Sequence, residues 1–265
     1  MVRRKSLLLM LLIGALFGAN HFWKARSDAL GFTPDKVSAH LPSAAEWEVP
    51  SNACVLPILS QKFTYLAEGK QAYAFQSEDG KYVLKLFQMR RFTPSWTDYL
   101  CPHLFKRRLK NRRWVFNGHK IAYTQFPQDT GVVFLHLNPT DTLNRVLTVV
   151  DQQGNTHQID SDTTPFVLQE KAELIFDRLE KLAPQEREKA IQAVLDLVGR
   201  RVKKGYADRD KAVRNNYGFV GDRPIHLDVG RLHLGTRPGQ QDHVQRRINR
   251  WQEESTKEAT SSKNQ

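Results

Sequence analysis

Apolar and polar residues alternate along the chain from residue 61 to residue 87, and a period of two is typical of β-strands with one buried face. The stretch FTYLAEGKQAYAFQSEDGKYVLKLF contains Asp79-Gly80, and Asp-Gly between two alternating runs is a strong hairpin signal. The pattern predicts three antiparallel strands, at Phe63–Leu66, Ala72–Gln76 and Tyr82–Phe87.

Further runs of β-branched and aromatic residues predict strands in the middle of the chain. These runs are Val132–Leu137, Arg145–Val150, Thr156–Ile159 and Phe166–Leu168. From Glu173 the apolar spacing changes to a helical one. Residues 174–179 form a short amphipathic pattern that stops before Pro184, and the strand-rich half of the chain therefore gives way to a helical half.

A longer helix is predicted over Gln185–Lys204, because its apolar residues fall on one stripe, and Gly205 is well placed to end it. The stripe consists of Ile191, Val194, Leu195, Val198 and Val202. Residues 240–254 predict a last, basic helix. The polar stretch from Glu253 to Gln265 is expected to be a disordered tail.

The N-terminus carries an uncharged run, Ser6–Trp23, between the basic groups Arg3–Lys5 and Lys24–Arg26. We expect residues 7–23 to act as an uncleaved signal anchor, which makes the protein a single-pass membrane protein, and the charge pattern leans toward an exported domain. A cleaved signal peptide within residues 1–27 and a buried soluble helix are the alternatives. Residues 28–60 hold four prolines and are predicted to be a linker with a segment that packs on the domain.

The 265 residues carry a formal net charge of +12, which suits anionic partners such as nucleotides or phospholipids. The most basic segment is Lys106–Trp114, which is either a solvated helix face or, through Lys106–Arg113, a surface for anionic lipid. Nucleic acid fits the charge, but a membrane anchor argues against it. With two cysteines, Cys54 and Cys101, the chain is not a disulfide scaffold, although one bridge is possible.

The stretch from Gly205 to Leu232, GYADRDKAVRNNYGFVGDRPIHLDVGRL, contains three chemically capable residues at fixed spacing. Asp210 is followed five residues later by Asn215, and Asp228 comes thirteen residues after that, directly before Val229-Gly230. Phosphotransferases need one carboxylate to orient or deprotonate the attacking hydroxyl, and an amide oxygen and a second carboxylate to hold Mg²⁺.

This pattern resembles the catalytic and metal-binding loops of the protein-kinase-like superfamily, His-Arg-Asp-x4-Asn and Asp-Phe-Gly. The compact C-terminal end looks more like lipopolysaccharide-kinase-like or small-molecule kinases than like regulatory protein kinases. The resemblance covers about residues 61–232. It implies an α+β, two-lobe fold, in which a five-stranded antiparallel β-sheet N-lobe (61–170) precedes a reduced helical C-lobe (171–252), the whole following the N-terminal hydrophobic helix.

The resemblance also implies roles for single residues. Asp210 is the expected catalytic base or hydroxyl-orienting group, and Asn215 and Asp228 are the expected Mg²⁺ ligands. Lys85 on the third strand matches the lysine that pairs with the α- and β-phosphates of ATP, and Gly69 is the one glycine of a reduced phosphate loop. The implied cofactors are ATP and Mg²⁺, the acceptor is a lipid, glycan or protein, and the backbone after Phe166 is the expected hinge that bonds the adenine.

Two departures from the family keep other functions open. Kinases place a glutamate on a helix to pair with the strand lysine, but residues 86–150 contain no glutamate, which leaves Asp98, Gln125 or no partner. Asp208 stands where the family usually has a histidine and receives no predicted role. A catalytically inactive pseudokinase that binds nucleotide or protein, and a membrane-tethered basic binding module, are therefore the alternatives to an active phosphotransferase.

Overall fold

The computed structural model describes residues 31–50, 52–94, 98 and 101–261, together with Gly14 and Gly18. The predicted signal anchor at residues 7–23, like its signal-peptide alternative, lies outside the described residues apart from those two glycines. Within the described part of the chain, no helix is both long and apolar enough to cross a membrane.

Seven strands form one large sheet. They are β1 (Lys62–Glu68), β2 (Ala72–Ser77), β3 (Tyr82–Phe87), β4 (Val132–His136), β5 (Val146–Val150), β6 (Thr156–Asp160) and β7 (Phe166–Glu170). Their spatial order is β4-β7-β3-β2-β1-β5-β6. Each of the seven strands matches a strand predicted from the sequence, and their ends differ from the predicted ends by no more than two residues. The five strands from β4 to β1 in this order pair antiparallel throughout, as expected for the N-lobe.

The sheet differs from the predicted five-stranded antiparallel one at its other edge. There β5 pairs with β1 in parallel, with Phe63 opposite Val149, and β6 then pairs antiparallel with β5. The sheet is therefore mixed and two strands wider than predicted. Alternation in the sequence predicts that a strand is present. It does not predict which strand pairs with it, or in which direction, when the two strands are more than eighty residues apart.

The segment before β1 is part of the domain core and not only a linker. It contains three single-turn 3₁₀ helices (Pro34–Lys36, Ala45–Trp47 and Ala53–Val55) and the short helix α1 (Leu56–Leu59). The ring of Phe32 is buried against the edges of Tyr73 and Phe75, with centroid distances of 5.2 and 4.9 Å. Trp47 packs on the opposite side of the sheet. This segment therefore covers apolar surface that β1 and β2 would otherwise expose.

One long helix, α3 (Pro102–Gln125), packs on the face of the sheet that Trp47 also covers, between the short helices α2 (Met89–Phe92) and α4 (Pro127–Thr130). Val115 and Phe116 of α3 are buried there against Phe87 of β3. Val229, the middle residue of the Asp-x-Gly triplet, belongs to the same apolar cluster. The helix, the sheet and the expected metal loop thus share one core.

The C-terminal half is built from three helices and two small sheets. The elements are β8 (Glu173–Leu174), α5 (Ile175–Lys181), α6 (Pro184–Lys203), β9 (Tyr206–Asp208), β10 (Tyr217–Val220), β11 (Arg223–His226), β12 (Leu232–Leu234) and α7 (Gln240–Ser261). The predicted stripe of α6 is largely buried against α5 and α7, and Gly205 ends α6 with a left-handed φ of +82°. The chain is therefore a mixed α+β fold, in which a sheet-rich half is followed by a mainly helical one.

The last helix extends beyond its predicted end. Its apolar contacts come from Val244, Ile248 and Trp251, but the helix continues to Ser261, into the segment expected to be a disordered tail. The final turns contain glutamate, lysine and alanine, which are good helix formers. Cys54 and Cys101 are both free thiols, so they form no bridge with each other.

Candidate active site

Lys85 lies on the face of the large sheet that is turned toward α3. Side chains alternate along a strand, so Lys85 shares its face with Phe87, whereas Leu84 and Leu86 enter the core on the opposite side. Its Nζ donates a hydrogen bond to the carbonyl oxygen of Leu227, 2.8 Å away and 142 positions further along the chain. The strand lysine therefore reaches the residue directly before Asp228.

The carboxylate of Asp228 acts on the charge of the buried Lys85. Burial lowers the pKa of Lys85, and the nearby carboxylate of Asp228 acts in the opposite direction. A lysine in this setting is only partly hydrated, which makes it a strong attractor for a ligand's negative charge.

Leu227 also ties the amide-rich turn to the metal loop. Its backbone N–H donates to the carbonyl oxygen of Asn216 at 2.8 Å, while its carbonyl oxygen accepts from Lys85. Asn215, the expected metal ligand, is exposed and precedes Asn216, which accepts this bond. Asn216 is buried, and its Nδ2 donates to no partner among the described residues. The chain thus holds the Asn215 turn beside the residue that precedes Asp228.

A second pairing joins the two loops on their other side. Strand β9 ends at Asp208, which lies opposite Leu232 of β12, and the N–H of Arg209 points at the carbonyl oxygen of Arg231 at 3.4 Å. Residues on both sides of Asp228 are therefore bonded to residues on both sides of Asp210. Since each loop is short, this topology brings the two carboxylates to the same region of the protein.

Asp210 itself is held by a turn that leaves its carboxylate accessible. Its Oδ1 accepts the N–H of Ala212 at 2.8 Å, and its own N–H donates to Oδ1 of Asp208 at 2.8 Å. The side chain is exposed, and no hydrogen bond to Oδ2 occurs within the described residues. A fixed, accessible carboxylate is suited to orient or deprotonate a hydroxyl group.

Two glycines allow the metal loop to pack tightly. A side chain at Gly118 of α3 would place its Cβ 2.4 Å from the carbonyl oxygen of Val229, and one at Gly230 would lie 2.1 Å from Oε1 of Gln71. Neither contact is possible for a larger residue without movement of the backbone or of Gln71. The loop that carries Asp228 is therefore clamped between α3 and the turn that joins β1 to β2.

That turn is the expected phosphate loop. The N–H of Gly69 donates to the carbonyl oxygen of Ala72 at 2.9 Å, so the loop is a tight two-residue turn with Lys70 and Gln71 at its tip. A Cβ on Gly69 would meet its nearest atom at 3.6 Å, which is an ordinary contact. The structure therefore places Gly69 in the predicted loop but gives no steric reason for glycine there.

Asp208, which received no role from the sequence, is the centre of a buried polar cluster under the Asp210 loop. Its Oδ2 lies 3.1 Å from Nε2 of His226, and both side chains are almost fully buried. Arg201 donates to Nδ1 of His226 at 3.1 Å and to Oε1 of Gln240 at 2.9 Å. Because an arginine can only donate, Nδ1 of His226 is the acceptor of that bond, while the buried Nε2 lies close to Asp208 without a hydrogen bond to it.

The stability contribution of Asp208 should depend on pH. Burial acts to raise the pKa of Asp208, but His226, the N–H of Asp210 and Arg201 together lower it below the usual value. A carboxyl group with a depressed pKa in the folded state stabilises the fold above its unfolded pKa of about 3.9. That contribution is lost as the pH falls through the folded pKa.

We therefore expect Asp208→Asn to lower the unfolding temperature at pH 7 by roughly 6–12 °C, because taking a buried carboxylate away from the groups that stabilise its charge costs about 3 kcal/mol. The difference in unfolding temperature between parent and variant should become smaller only below about pH 4. Thermal unfolding between pH 3 and pH 7 measures both effects. Asp222→Asn, at a carboxylate whose side chain is 96% exposed, is the control and should change little. A difference in unfolding temperature that does not depend on pH would contradict a stabilising role for the ionised carboxylate of Asp208.

His119 is the residue that sequence reasoning missed on α3. It is buried, its Nδ1 lies 2.8 Å from the carbonyl oxygen of Val115, and its ring meets Phe87 edge-on at 5.0 Å. Burial lowers the pKa of His119 to about 4, and the charges of Lys85 and Asp228 also act on it. A lone histidine without a helix-specific motif gives no signal in the sequence.

The two partners considered for Lys85 are wrong. Asp98 forms an ion pair with Arg108 at 2.6 Å, and Gln125 lies at the exposed C-terminal end of α3. Neither contacts the strand lysine. His119 is the ionisable side chain of α3 that the structure places near Lys85, in the half of the helix that packs on the metal loop.

The donor set is of the kind that Mg²⁺ accepts when a nucleotide supplies the remaining oxygens. The ion prefers oxygen ligands and is usually held by one or two carboxylates together with substrate phosphates. Asp228 is half-buried at the mouth of the clamped loop, and Asn215 supplies an amide oxygen. Among the described residues, no three His, Cys, Asp or Glu side chains are grouped closely enough to hold a metal by themselves.

No protein-family model and no curated protein matches the sequence. Several solved structures are similar to the chain. WbdD in complex with the kinase inhibitor LY294002 matches at 15% identity and a TM-score of 0.39, over 66% of this chain and 34% of that one. The bifunctional kinase-methyltransferase WbdD matches at 18% identity and a TM-score of 0.34, over 62% of this chain and 30% of that one. Rv3197 from Mycobacterium tuberculosis, in complex with erythromycin, matches at 14% identity and a TM-score of 0.37, over 67% of this chain and 47% of that one.

The chain spans less than half the length of each of these structures. Identities and TM-scores this low carry no argument about activity, substrate or partner, which depend on the residues of this chain.

Proposed function

We propose that the protein is an atypical kinase-like phosphotransferase that uses Mg·ATP. The observation that carries this proposal is the position of Leu227, whose carbonyl oxygen binds Lys85 and whose N–H binds Asn216, directly before Asp228. Chance similarity in three separate motifs would not bring a strand lysine, an asparagine turn and an Asp-x-Gly loop to one residue.

In this proposal, Lys85 binds the α- and β-phosphates, while Asp228 and Asn215 hold Mg²⁺, which neutralises the charge of the triphosphate. The turn at Gly69–Ala72 covers the phosphates, and the backbone after β7 bonds the adenine. Asp210 orients the acceptor hydroxyl and removes its proton. Arg209 supports this loop, because its guanidinium lies 3.7 Å from the ring centre of Trp114 on α3.

A pseudokinase is the second candidate, and a specific observation favours it. The helix that should carry a glutamate for Lys85 presents the buried His119 instead, and burial favours the neutral form of that imidazole. Lys85 is then held less firmly than in a typical kinase. Binding of nucleotide without transfer would result if this weaker support did not position the terminal phosphate.

Thermal unfolding of the full chain with and without Mg·ATP tests the proposal. At a concentration 100 times the Kd, a bound ligand stabilises by about 2.7 kcal/mol, which is roughly 5–10 °C for a domain of this size. Lys85→Met should weaken nucleotide binding by about tenfold, equal to the loss of one charge-assisted hydrogen bond.

Lys62→Met, at an exposed lysine of β1, is the matched control and should respond to Mg·ATP as the parent does. Equal responses of parent, Lys85→Met and Lys62→Met would show that the nucleotide binds elsewhere. A parent that does not respond to Mg·ATP would reject both the phosphotransferase and the nucleotide-binding pseudokinase. ADP formation separates these two from each other.

A further inference from the structure

A cleft of about 720 Å³ opens where the phosphate loop, the metal loop and α3 meet. Six of its lining residues are basic: Lys70, Arg91, Arg107, Arg108, Lys110 and Arg231. Among the described residues that line it, Asp98 is the one acidic residue. The cleft is therefore a concentrated source of positive potential, and a concave wall focuses that potential more strongly than a flat surface does.

The positive charges of the cleft come from separate elements. Lys70 is at the tip of the β1–β2 turn, Arg231 directly follows the metal loop, and Arg107 and Lys110 are three residues apart on one side of α3. Residues so distant in sequence form a shared surface only through the fold. A solvated helix face, the simplest explanation for the basic segment of α3, does not account for this convergence.

Most of these charges have no acidic partner. Asp98 pairs with Arg108 at 2.6 Å, and Arg108 also donates to the carbonyl oxygen of Arg90 at 2.8 Å. Within the described part of the chain, Lys70, Arg107 and Lys110 form no ion pair with a carboxylate, and neither does Arg231. The cleft therefore retains a strong net positive charge.

An aromatic ring connects the cleft to the loop that carries Asp210. Trp114 lines the cleft, and its ring is contacted by Arg209 at 3.7 Å and by Lys110 at 5.7 Å. Arg209 is the residue before Asp210. A ligand that filled the cleft would therefore lie between the tip of the phosphate loop and the neighbourhood of the catalytic loop.

We propose that this cleft binds a ligand carrying two or more clustered phosphate groups. Arginine and lysine bind phosphate oxygens through charge-assisted hydrogen bonds, and several cations from different elements match several phosphates on one compact molecule. Extended nucleic acid would follow a stripe of basic residues along the surface, and here the charges surround a hollow.

The ligand of the cleft is also the acceptor of the phosphoryl group. This assignment rests on the proposed function, but the binding site itself does not depend on it. Asp210 takes the proton of an acceptor hydroxyl, and the acceptor oxygen forms a bond to the terminal phosphorus of ATP. The bond from that phosphorus to the bridging oxygen breaks, and ADP leaves with the electron pair. The product is the acceptor with one further phosphate, so the acceptor is an alcohol already phosphorylated elsewhere on the molecule.

The test compares two double variants of the full chain that remove the same charge from the same helix. Arg107→Ala with Lys110→Ala removes two cations that line the cleft. Lys106→Ala with Arg113→Ala removes two that do not, and Arg113 pairs with Glu46 at 3.0 Å on the outer side of the helix. Calorimetric titration with inositol hexakisphosphate provides the probe, and Mg·ATP stabilisation is measured on the same preparations.

We expect one molecule of inositol hexakisphosphate to bind per chain, with the cleft variant weaker by at least about tenfold and the control within about threefold of the parent. If both double variants bind the probe equally weakly, binding depends only on the general surface charge, and the proposal is overturned. Tighter binding of a single-stranded or duplex oligonucleotide would also overturn it. Competitive displacement by Mg·ATP would overturn the acceptor assignment, because the cleft would then be the nucleotide's own phosphate site.

Vesicles distinguish the two sources of such a ligand. If vesicles of phosphatidylcholine with a phosphoinositide bind the parent more tightly than the soluble probe and the cleft variant loses this gain, the phosphates belong to a lipid headgroup. If the vesicles give no gain, the ligand is a soluble molecule. Both outcomes support the cleft. Cleft-dependent binding of the probe in a protein that does not respond to Mg·ATP would confirm the binding site and reject the proposed phosphotransferase.

Discussion

Replacing Asp210 with asparagine should lower the rate of phosphoryl transfer by at least about 10²-fold, which is typical for the loss of a general base. The amide keeps an oxygen that can accept the N–H of Ala212, so the turn that holds the side chain should persist. Because Asp210 serves the acceptor and not the nucleotide, stabilisation by Mg·ATP should remain close to that of the parent.

ADP formation, with water or a phosphorylated alcohol as acceptor, measures the rate, and thermal unfolding with Mg·ATP measures binding. Asp222→Asn lies on the exposed turn between β10 and β11 and should leave both unchanged. Loss of nucleotide binding in Asp210→Asn would show that the division of roles between the two carboxylates is wrong.

Replacing Asp228 with asparagine should abolish the stabilisation by Mg·ATP. The substitution preserves volume but removes the carboxylate that holds Mg²⁺, and an amide is a far weaker ligand for this hard cation. It also removes the charge that supports the protonated form of the partly buried Lys85. Both consequences reduce the affinity for a triphosphate.

Titration with ATP in the presence of Mg²⁺ and in the presence of EDTA separates these consequences. In the parent, Mg²⁺ should strengthen ATP binding, and in Asp228→Asn it should not. If both proteins respond to Mg²⁺ equally, Asp228 is not a metal ligand.

The strands and the long helix of this fold are predictable because their signals are local. The alternation over β1 to β3 and the stripe on α6 each depend on residues within one element, and Gly205 ends that helix as its lack of a Cβ allows. The chemical motif is also local, since Asp210, Asn215 and Asp228 lie within 19 positions of sequence.

Long-range features were not predictable. The parallel pairing of β5 with β1 joins distant segments whose alternation fits either direction. Phe32 and Trp47 enter the core from a proline-containing segment that has no period, so its sequence resembled a linker. The burial of Asp208 depends on Arg201 and His226 from other elements, and a motif that expects histidine at that position gives no indication of it.

The position of Lys85 is the intermediate case. A lysine in a strand is commonplace. Its position in the chain before the Asp210 loop is what predicts a phosphate-binding role for it. Its face of the sheet then follows from alternation, because Leu84 and Leu86 are apolar. The contact with Leu227 required the fold.

The most direct test of this account is a crystal structure of the protein with Mg²⁺ and a non-hydrolysable ATP analogue. We predict a metal ion about 2.0–2.1 Å from a carboxylate oxygen of Asp228. We also predict that Nζ of Lys85 leaves the carbonyl oxygen of Leu227 and binds an α- or β-phosphate oxygen. A triphosphate bound in the basic cleft, with Lys85 still on Leu227 and no metal at Asp228, would contradict the account.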